Sequence, residues 1–80
     1  MKIKPYASNM TVLVLNDGTE VLFSYQTPVA CYTGSTYYKT ERFYSATTSR
    51  HVNKWLTDAG VRDVKHVDTQ PQEFFDTLAV

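Results

Sequence analysis

The clearest hydrophobic pattern in this 80-residue chain lies in its second half. Four apolar side chains recur there at the spacing i, i+3, i+4 and i+7: Val52, Trp55, Leu56 and Ala59. This spacing places them on one face of an α-helix. Gly60 follows directly, at the position where a left-handed residue ends many helices. The pattern therefore predicts one main helix that packs this face against the rest of the protein, with Trp55 as a core residue.

Three hydroxyl residues stand before the apolar face: Thr47, Thr48 and Ser49. A side-chain oxygen at the start of a helix accepts a hydrogen bond from one of the first-turn amides, which have no partner within the helix. The helix is therefore predicted to begin among these three residues. Val61, directly after Gly60, is predicted to make the apolar contact that often accompanies a glycine cap.

Alternating and β-branched runs before the helix predict an antiparallel meander of about four strands. The predicted strands cover residues 10–15, 20–26, 29–33 and 37–44. Asp17 and Gly18 lie between the first two, and this dipeptide suits a tight turn that needs positive φ angles. Pro28 cannot donate to a strand ladder, so it predicts a bend or the edge of the sheet. Residues 1–9, which contain Pro5, are interpreted as a loose lead-in.

After Gly60, residues 61–67 alternate in polarity and could form a fifth strand or an extended connection. Pro71 and Glu73 suit the first turn of a second, short helix. Its predicted apolar face consists of Phe74, Phe75, Leu78 and Ala79. The full pattern predicts a single α+β domain over residues 1–80, with a meander packed by one main helix and a short C-terminal strand and helix.

Charge is balanced overall but not along the chain. Six Lys or Arg against three Asp or Glu give residues 1–57 a charge of +3, and two against five give residues 58–80 a charge of −3. The formal net charge is therefore zero. Six of the aromatic residues are tyrosines, which are enriched in binding surfaces. This composition favours a small folded domain with a basic middle region.

The residues that carry most enzyme chemistry are sparse and scattered. Cys31 is the single cysteine, which excludes an intrachain disulfide, fits a reducing compartment and is interpreted as a small buried apolar residue. His51 and His66 lack metal-ligand spacing, and three glycines are too few for a phosphate loop. No pair of carboxylates can be matched for acid–base work. We therefore expect no enzyme activity, no cofactor and no metal, and we also expect no signal peptide and no membrane span.

One set of residues could form a binding surface on the predicted fourth strand and the exposed side of the main helix. Basic side chains there alternate with tyrosines, and the set consists of Tyr37, Tyr38, Lys39, Arg42, Tyr44, Arg50, Asn53 and Lys54. Tyrosine and arginine dominate protein interface hot spots, and the same combination can hold phosphates and stack bases. The pattern leaves a protein partner and a nucleic acid both open.

Two runs of this chain resemble a family of small uncharacterised proteins from tailed bacteriophages. Residues 21–30 are similar to its SY-TPVA motif, and residues 44–56 are similar to its TT-xHINKWL motif. Asp17-Gly18-Thr19 stands where the family has Asn-Gly-Thr, and Val52 stands where isoleucine is usual. The resemblance covers about residues 10–57. It implies a phage origin and the cytoplasm of an infected bacterium, and it implies no known activity.

The leading hypothesis combines this resemblance with the missing catalytic residues and the abundant tyrosine. It describes a non-enzymatic phage protein that binds a host protein during infection and could inhibit it. The alternative is a small nucleic-acid-binding protein that uses the basic residues Lys39, Arg42, Arg50 and Lys54, although a net charge of zero counts against it. A structural or self-assembling role is the third hypothesis.

Overall fold

The computed structural model describes residues 1–78. The protein folds into a six-stranded sheet with one helix on each face. The strands are β1 Lys2–Ala7, β2 Met10–Val14, β3 Glu20–Ser24, β4 Thr27–Tyr32, β5 Tyr37–Thr40 and β6 Asp68–Gln70. The helices are α1 Ala46–Asp58 and α2 Gln72–Leu78. Strands β1 to β5 pair antiparallel in chain order, and β6 pairs parallel to β5 after a crossover through α1 and a 3-10 turn, Val64–His66. The predicted α+β class is confirmed.

Both ends of α1 follow from local chemistry. Ser45 is extended and its hydroxyl accepts from the Thr48 amide at 3.1 Å, so the cap lies two residues before the predicted start. The prediction was wrong because residues 47–49 are already helical and a cap residue has to be extended. At the other end Gly60 has φ +95, and the Val61 amide bonds to the Leu56 carbonyl at 3.0 Å. The predicted glycine stop is therefore confirmed.

The first core cluster lies between α1 and one face of the sheet. Trp55 is 5% exposed and packs there with Val52 and Leu56, which confirms its predicted core role. The sheet contributes Met10, Val12, Leu22, Val29 and Ala30. Ala59 is exposed, so the buried face of the helix ends one turn earlier than its spacing predicted.

The second core cluster lies between α2 and the opposite face of the sheet. Phe75 is fully buried there against Leu13, Val21 and Cys31. Because neighbouring residues of a strand point to opposite faces, β2 and β3 contribute to both clusters. The sheet is therefore buried on both sides, with one helix on each.

Pro28 lies inside β4, an interior strand, at a β-bulge. Leu22 pairs with Ala30 but Phe23 pairs with Pro28, which leaves one extra residue in β4. A bulge is one of the few interior positions that tolerate proline. The side-chain Nε2 of Gln72 donates a hydrogen bond to the Pro28 carbonyl at 2.7 Å and so connects the start of α2 to the bulge.

Three predicted segments differ from the structure. Residues 2–7 are an edge strand instead of a loose lead-in, because Pro5 lies on the free edge, where its missing amide does little harm. Of the two alternatives for residues 61–67, the structure has a connection, which contains the 3-10 turn Val64–His66, and the C-terminal strand comes later, at Asp68–Gln70. Strand β5 ends at Thr40, which leaves residues 41–45 as a loop. The predicted contribution of Ala79 lies outside the described residues.

Burial makes the Cys31 thiol unreactive in the folded protein. The side chain is fully buried, and this burial raises the pKa of the Cys31 thiol to about 11, so it stays protonated. We expect iodoacetamide at neutral pH to leave the native protein unmodified and to alkylate it fully in urea. Mass spectrometry measures the difference, and rapid native alkylation would show that Cys31 is accessible.

Candidate functional site

An open cleft of about 340 Å³ lies between the loop 41–45, the first half of α1 and the 3-10 turn. Strand β5 contributes Lys39 and Thr40 to its lining. The remaining lining residues are Glu41, Arg42, Phe43, Tyr44, Thr48, Ser49, Val52, Asn53, Val64 and Lys65. The cleft therefore combines aromatic, basic and small polar side chains.

The loop 41–45 projects two aromatic side chains into solvent at the cleft. The Arg42 amide bonds to the Thr40 hydroxyl at 3.2 Å, which holds the loop where β5 ends. Phe43 is 74% exposed and Tyr44 is 39% exposed. The Arg42 guanidinium lies 6.0 Å from the centre of the Tyr44 ring, a cation–π distance. Most of the Phe43 ring surface is therefore left uncovered by the described chain.

The charges that line the cleft are mainly positive. Three cations, Lys39, Arg42 and Lys65, stand against one carboxylate, Glu41. The Lys39 ammonium donates to the Val64 carbonyl at 2.7 Å and so holds the 3-10 turn against β5. Arg42 and Lys65 are exposed. The cleft is therefore electrostatically suited to a negatively charged ligand.

Four of the eight predicted site residues line this cleft: Lys39, Arg42, Tyr44 and Asn53. Tyr37 and Tyr38 do not, because successive strand residues point to opposite faces. The Tyr37 ring meets the Trp55 indole edge-on at 5.7 Å under α1, and the Tyr38 ring meets Phe74 at 5.5 Å under α2. The predicted single tyrosine surface is thus split between the two core clusters.

Arg50 and Lys54 lie outside the cleft on another side of α1. Lys54 forms an i,i+4 ion pair with Asp58 at 3.2 Å, and Arg50 approaches the Thr47 hydroxyl at 3.4 Å. The Asp58 carboxylate also accepts a hydrogen bond from the Tyr6 hydroxyl, which together with Lys54 lowers the pKa of Asp58. The Tyr6–Asp58 hydrogen bond connects β1 to α1, and the role of Arg50 and Lys54 in binding stays a prediction.

The sequence pattern missed Phe43 and Lys65 as neighbours in one site. Phe43 was assigned to the alternation of a long fourth strand, and Lys65 lies 22 positions further along the chain. The β5–α1–β6 crossover brings them together, which no local pattern encodes. The sequence would have predicted an exposed Phe43 only if the end of the strand at Thr40 had been recognised.

A buried serine and a histidine form a second polar cluster, beside the start of α1. The Ser24 hydroxyl lies 2.7 Å from His51 Nδ1 and 3.0 Å from the Thr48 hydroxyl. A serine–histidine pair at this distance can activate a nucleophile. Ser24 is only 2% exposed, however, so a substrate cannot reach its oxygen. The cluster connects β3 to α1, and it joins the two runs on which the phage resemblance rests.

Residues 1–78 contain neither a metal-binding cluster nor a membrane-spanning helix. No group of three or more His, Cys, Asp and Glu side chains there could hold a metal ion. Neither helix in that range is long and apolar enough to cross a membrane.

Residues 1–76 match a protein family of unknown function, DUF8033, and the chain belongs to this family. The match includes the segment after Gly60, which lies outside the resemblance described from the sequence. No curated protein and no solved structure matches the chain. The function of this family is unknown. The phage origin implied by the sequence motifs stays a prediction.

Proposed function

We propose that this DUF8033 protein is a non-catalytic binding protein that captures an acidic segment of a host protein inside a phage-infected bacterium. The carrying observation is the basic cleft with Phe43 at its rim, 74% exposed. An exposed aromatic beside arginine is the composition of an interface hot spot. Inhibition of the captured protein would follow where the bound segment is needed for that protein's own function.

The two halves of the cleft have separate roles in this proposal. Phe43 and Tyr44 supply apolar area that becomes buried when a partner covers them. Arg42 and Lys65 attract carboxylates, and because both are exposed their contribution weakens as salt screens them. Asn53 offers amide hydrogen bonds from the helix side of the cleft. The expected ligand is therefore an acidic peptide segment with at least one large apolar side chain.

The test is capture of a host protein by tagged protein, compared across variants. We expect Phe43→Ala and Arg42→Glu each to weaken binding of the captured protein at least about tenfold, since hot-spot truncations cost about 2 kcal/mol or more. The unfolding midpoint should change little, because both side chains are exposed.

Arg62→Glu is the matched control, because Arg62 is an exposed arginine outside the cleft. It changes the net charge by the same amount as Arg42→Glu and should leave capture intact. The proposal is wrong if no host protein is retained above background. It is equally wrong if the cleft variants and the control capture the same protein equally well.

A single-stranded nucleic acid is the second candidate ligand, since Arg42, Lys65 and two exposed aromatics could hold phosphates and stack bases. Two of the four cations that the sequence predicted for nucleic-acid binding already have partners within the protein. Lys39 donates a hydrogen bond to the Val64 carbonyl, and Lys54 forms an ion pair with Asp58. Binding of a labelled oligonucleotide that falls steeply with salt would favour this candidate. The acidic-segment proposal predicts that any oligonucleotide binding at low salt is lost at physiological salt, whereas capture of the host protein persists there.

A further inference from the structure

A second surface lies on the opposite face of the sheet, at the margin formed by β1. It is an apolar groove of about 310 Å³ lined by Ile3, Thr11, Leu13, Phe23, Tyr25 and Gln26. None of these six side chains is charged. Helix α2 packs over β4 on this face and leaves the part next to β1 open. The groove therefore exposes apolar sheet surface that the described chain does not cover.

The groove contains both a floor and projecting side chains. Leu13 is 8% exposed and forms part of the floor. Ile3, which pairs with Leu13 across the strands, is 69% exposed, and Tyr25 at the end of the sheet is 53% exposed. In a two-fold symmetric contact the same surface lies on both copies. The projecting side chains of each copy can therefore fill the recess of the other copy.

We propose that this apolar groove is the contact surface of a homodimer, in which Ile3 of each copy packs into the groove of the other. The occupant follows from the shape of the surface, with projecting Ile3 and Tyr25 beside a recess, together with its charge. An uncharged groove gives no electrostatic advantage to an acidic or basic partner. A second copy brings an equally uncharged surface, and the zero net charge of the chain leaves no overall repulsion between copies.

The packing mode is face to face and not edge to edge. The free edge of β1 carries Pro5, which lacks an amide hydrogen, and proline at an edge blunts pairing with another strand. Lys2 and Lys4 point to the other face, because Lys2 pairs with Val14 and Lys4 with Val12. Two such sheet faces can stack about 10 Å apart with their apolar side chains interdigitated.

The size of the surface predicts a weak dimer. A stable interface buries roughly 800 Å² per partner, and a groove of six residues supplies less than this. We therefore expect a monomer–dimer equilibrium that becomes visible at high micromolar concentration. Because the contact is apolar, added salt should not weaken it, whereas binding at the basic cleft should weaken with salt.

Analytical ultracentrifugation of three proteins tests the proposal. The parent is expected to shift from 9.1 kDa towards twice that mass as its concentration rises. Ile3→Glu should raise the dissociation constant at least tenfold, because it buries a charge in the contact. Thr69→Glu is the matched control, since it adds the same charge at an exposed position of β6, the far edge strand, and should dimerise like the parent.

Several outcomes would overturn the homodimer. A parent that stays monomeric at high concentration excludes it, and so does an Ile3→Glu variant that dimerises like the parent. Loss of host-protein capture by Ile3→Glu in a monomeric parent would assign the groove to a different partner. Thermal unfolding checks that the Ile3→Glu variant is folded. If Ile3→Glu is unfolded, Ile3→Ala replaces it in the comparison, because it removes the projecting side chain without adding a charge. Failure of the dimer leaves the cleft proposal intact, because the two surfaces share no residue.

Discussion

Replacing Trp55 with alanine is expected to leave the protein largely unfolded or only marginally stable. The indole is 5% exposed and meets Tyr37 edge-on in the cluster between α1 and the sheet. Truncations of buried aromatic side chains cost about 3–5 kcal/mol through lost burial and the cavity that remains. A domain of 80 residues has roughly 4–8 kcal/mol in total, towards the low end of the range for small proteins. The loss is therefore comparable with the whole free energy of unfolding.

Urea unfolding of the parent, Trp55→Ala and Asn53→Ala measures this effect. Asn53 is an exposed residue of the same helix, so its truncation should change the free energy of unfolding by no more than about 0.5 kcal/mol. An unchanged midpoint for Trp55→Ala, together with lost partner binding, would place Trp55 on a binding surface. The apolar side of α1 would then face outward, in conflict with the structure.

Replacing Phe75 with alanine is expected to detach α2 and to cost about 3–5 kcal/mol. Phe75 is the fully buried residue that α2 contributes to the second core cluster. The helix has seven residues, and a helix this short does not persist in water without tertiary packing. Its detachment would also open the sheet face that holds Cys31.

Two readouts test the Phe75→Ala prediction. The unfolding midpoint should fall, and alkylation of Cys31 under native conditions should accelerate because its cover is lost. Thr77→Ala is the control, since Thr77 is exposed on the same helix and should leave both measurements near those of the parent. A protected Cys31 and an unchanged midpoint in Phe75→Ala would mean that α2 does not pack over this face.

The two proposed surfaces lie on different faces and at different margins of the sheet. The cleft lies on the α1 side near β5 and β6, and the apolar groove lies on the other face beside β1. A dimer formed through the groove would therefore keep both clefts accessible. Such a dimer could bind a target with two acidic segments more tightly than either cleft alone, through the effective concentration of the second site.

The sequence by itself determined the elements whose causes are local. The 3.6-residue spacing of Val52, Trp55 and Leu56 predicted which side of α1 is buried, because it depends only on helix geometry. The turn between β2 and β3 also has a local cause. Gly18 has φ +90, and the Thr19 amide donates to the Asp17 carboxylate at 2.9 Å, so the turn depends only on neighbouring residues. The α+β class followed from the order of these elements.

Only the tertiary structure decided the features that depend on pairing between distant residues. Strand β1 exists because β2 supplies its partner, and all six of its side chains are exposed, so its own sequence carries no core pattern. The crossover through α1 brings Lys65 to the loop that holds Phe43 and thereby creates the cleft. The packing of α1 and α2 on opposite faces of the sheet places Tyr37 and Tyr38 under different helices, because successive strand residues point to opposite faces. Contacts of this kind arise from packing the whole chain at once, and residue spacing along the sequence does not specify them.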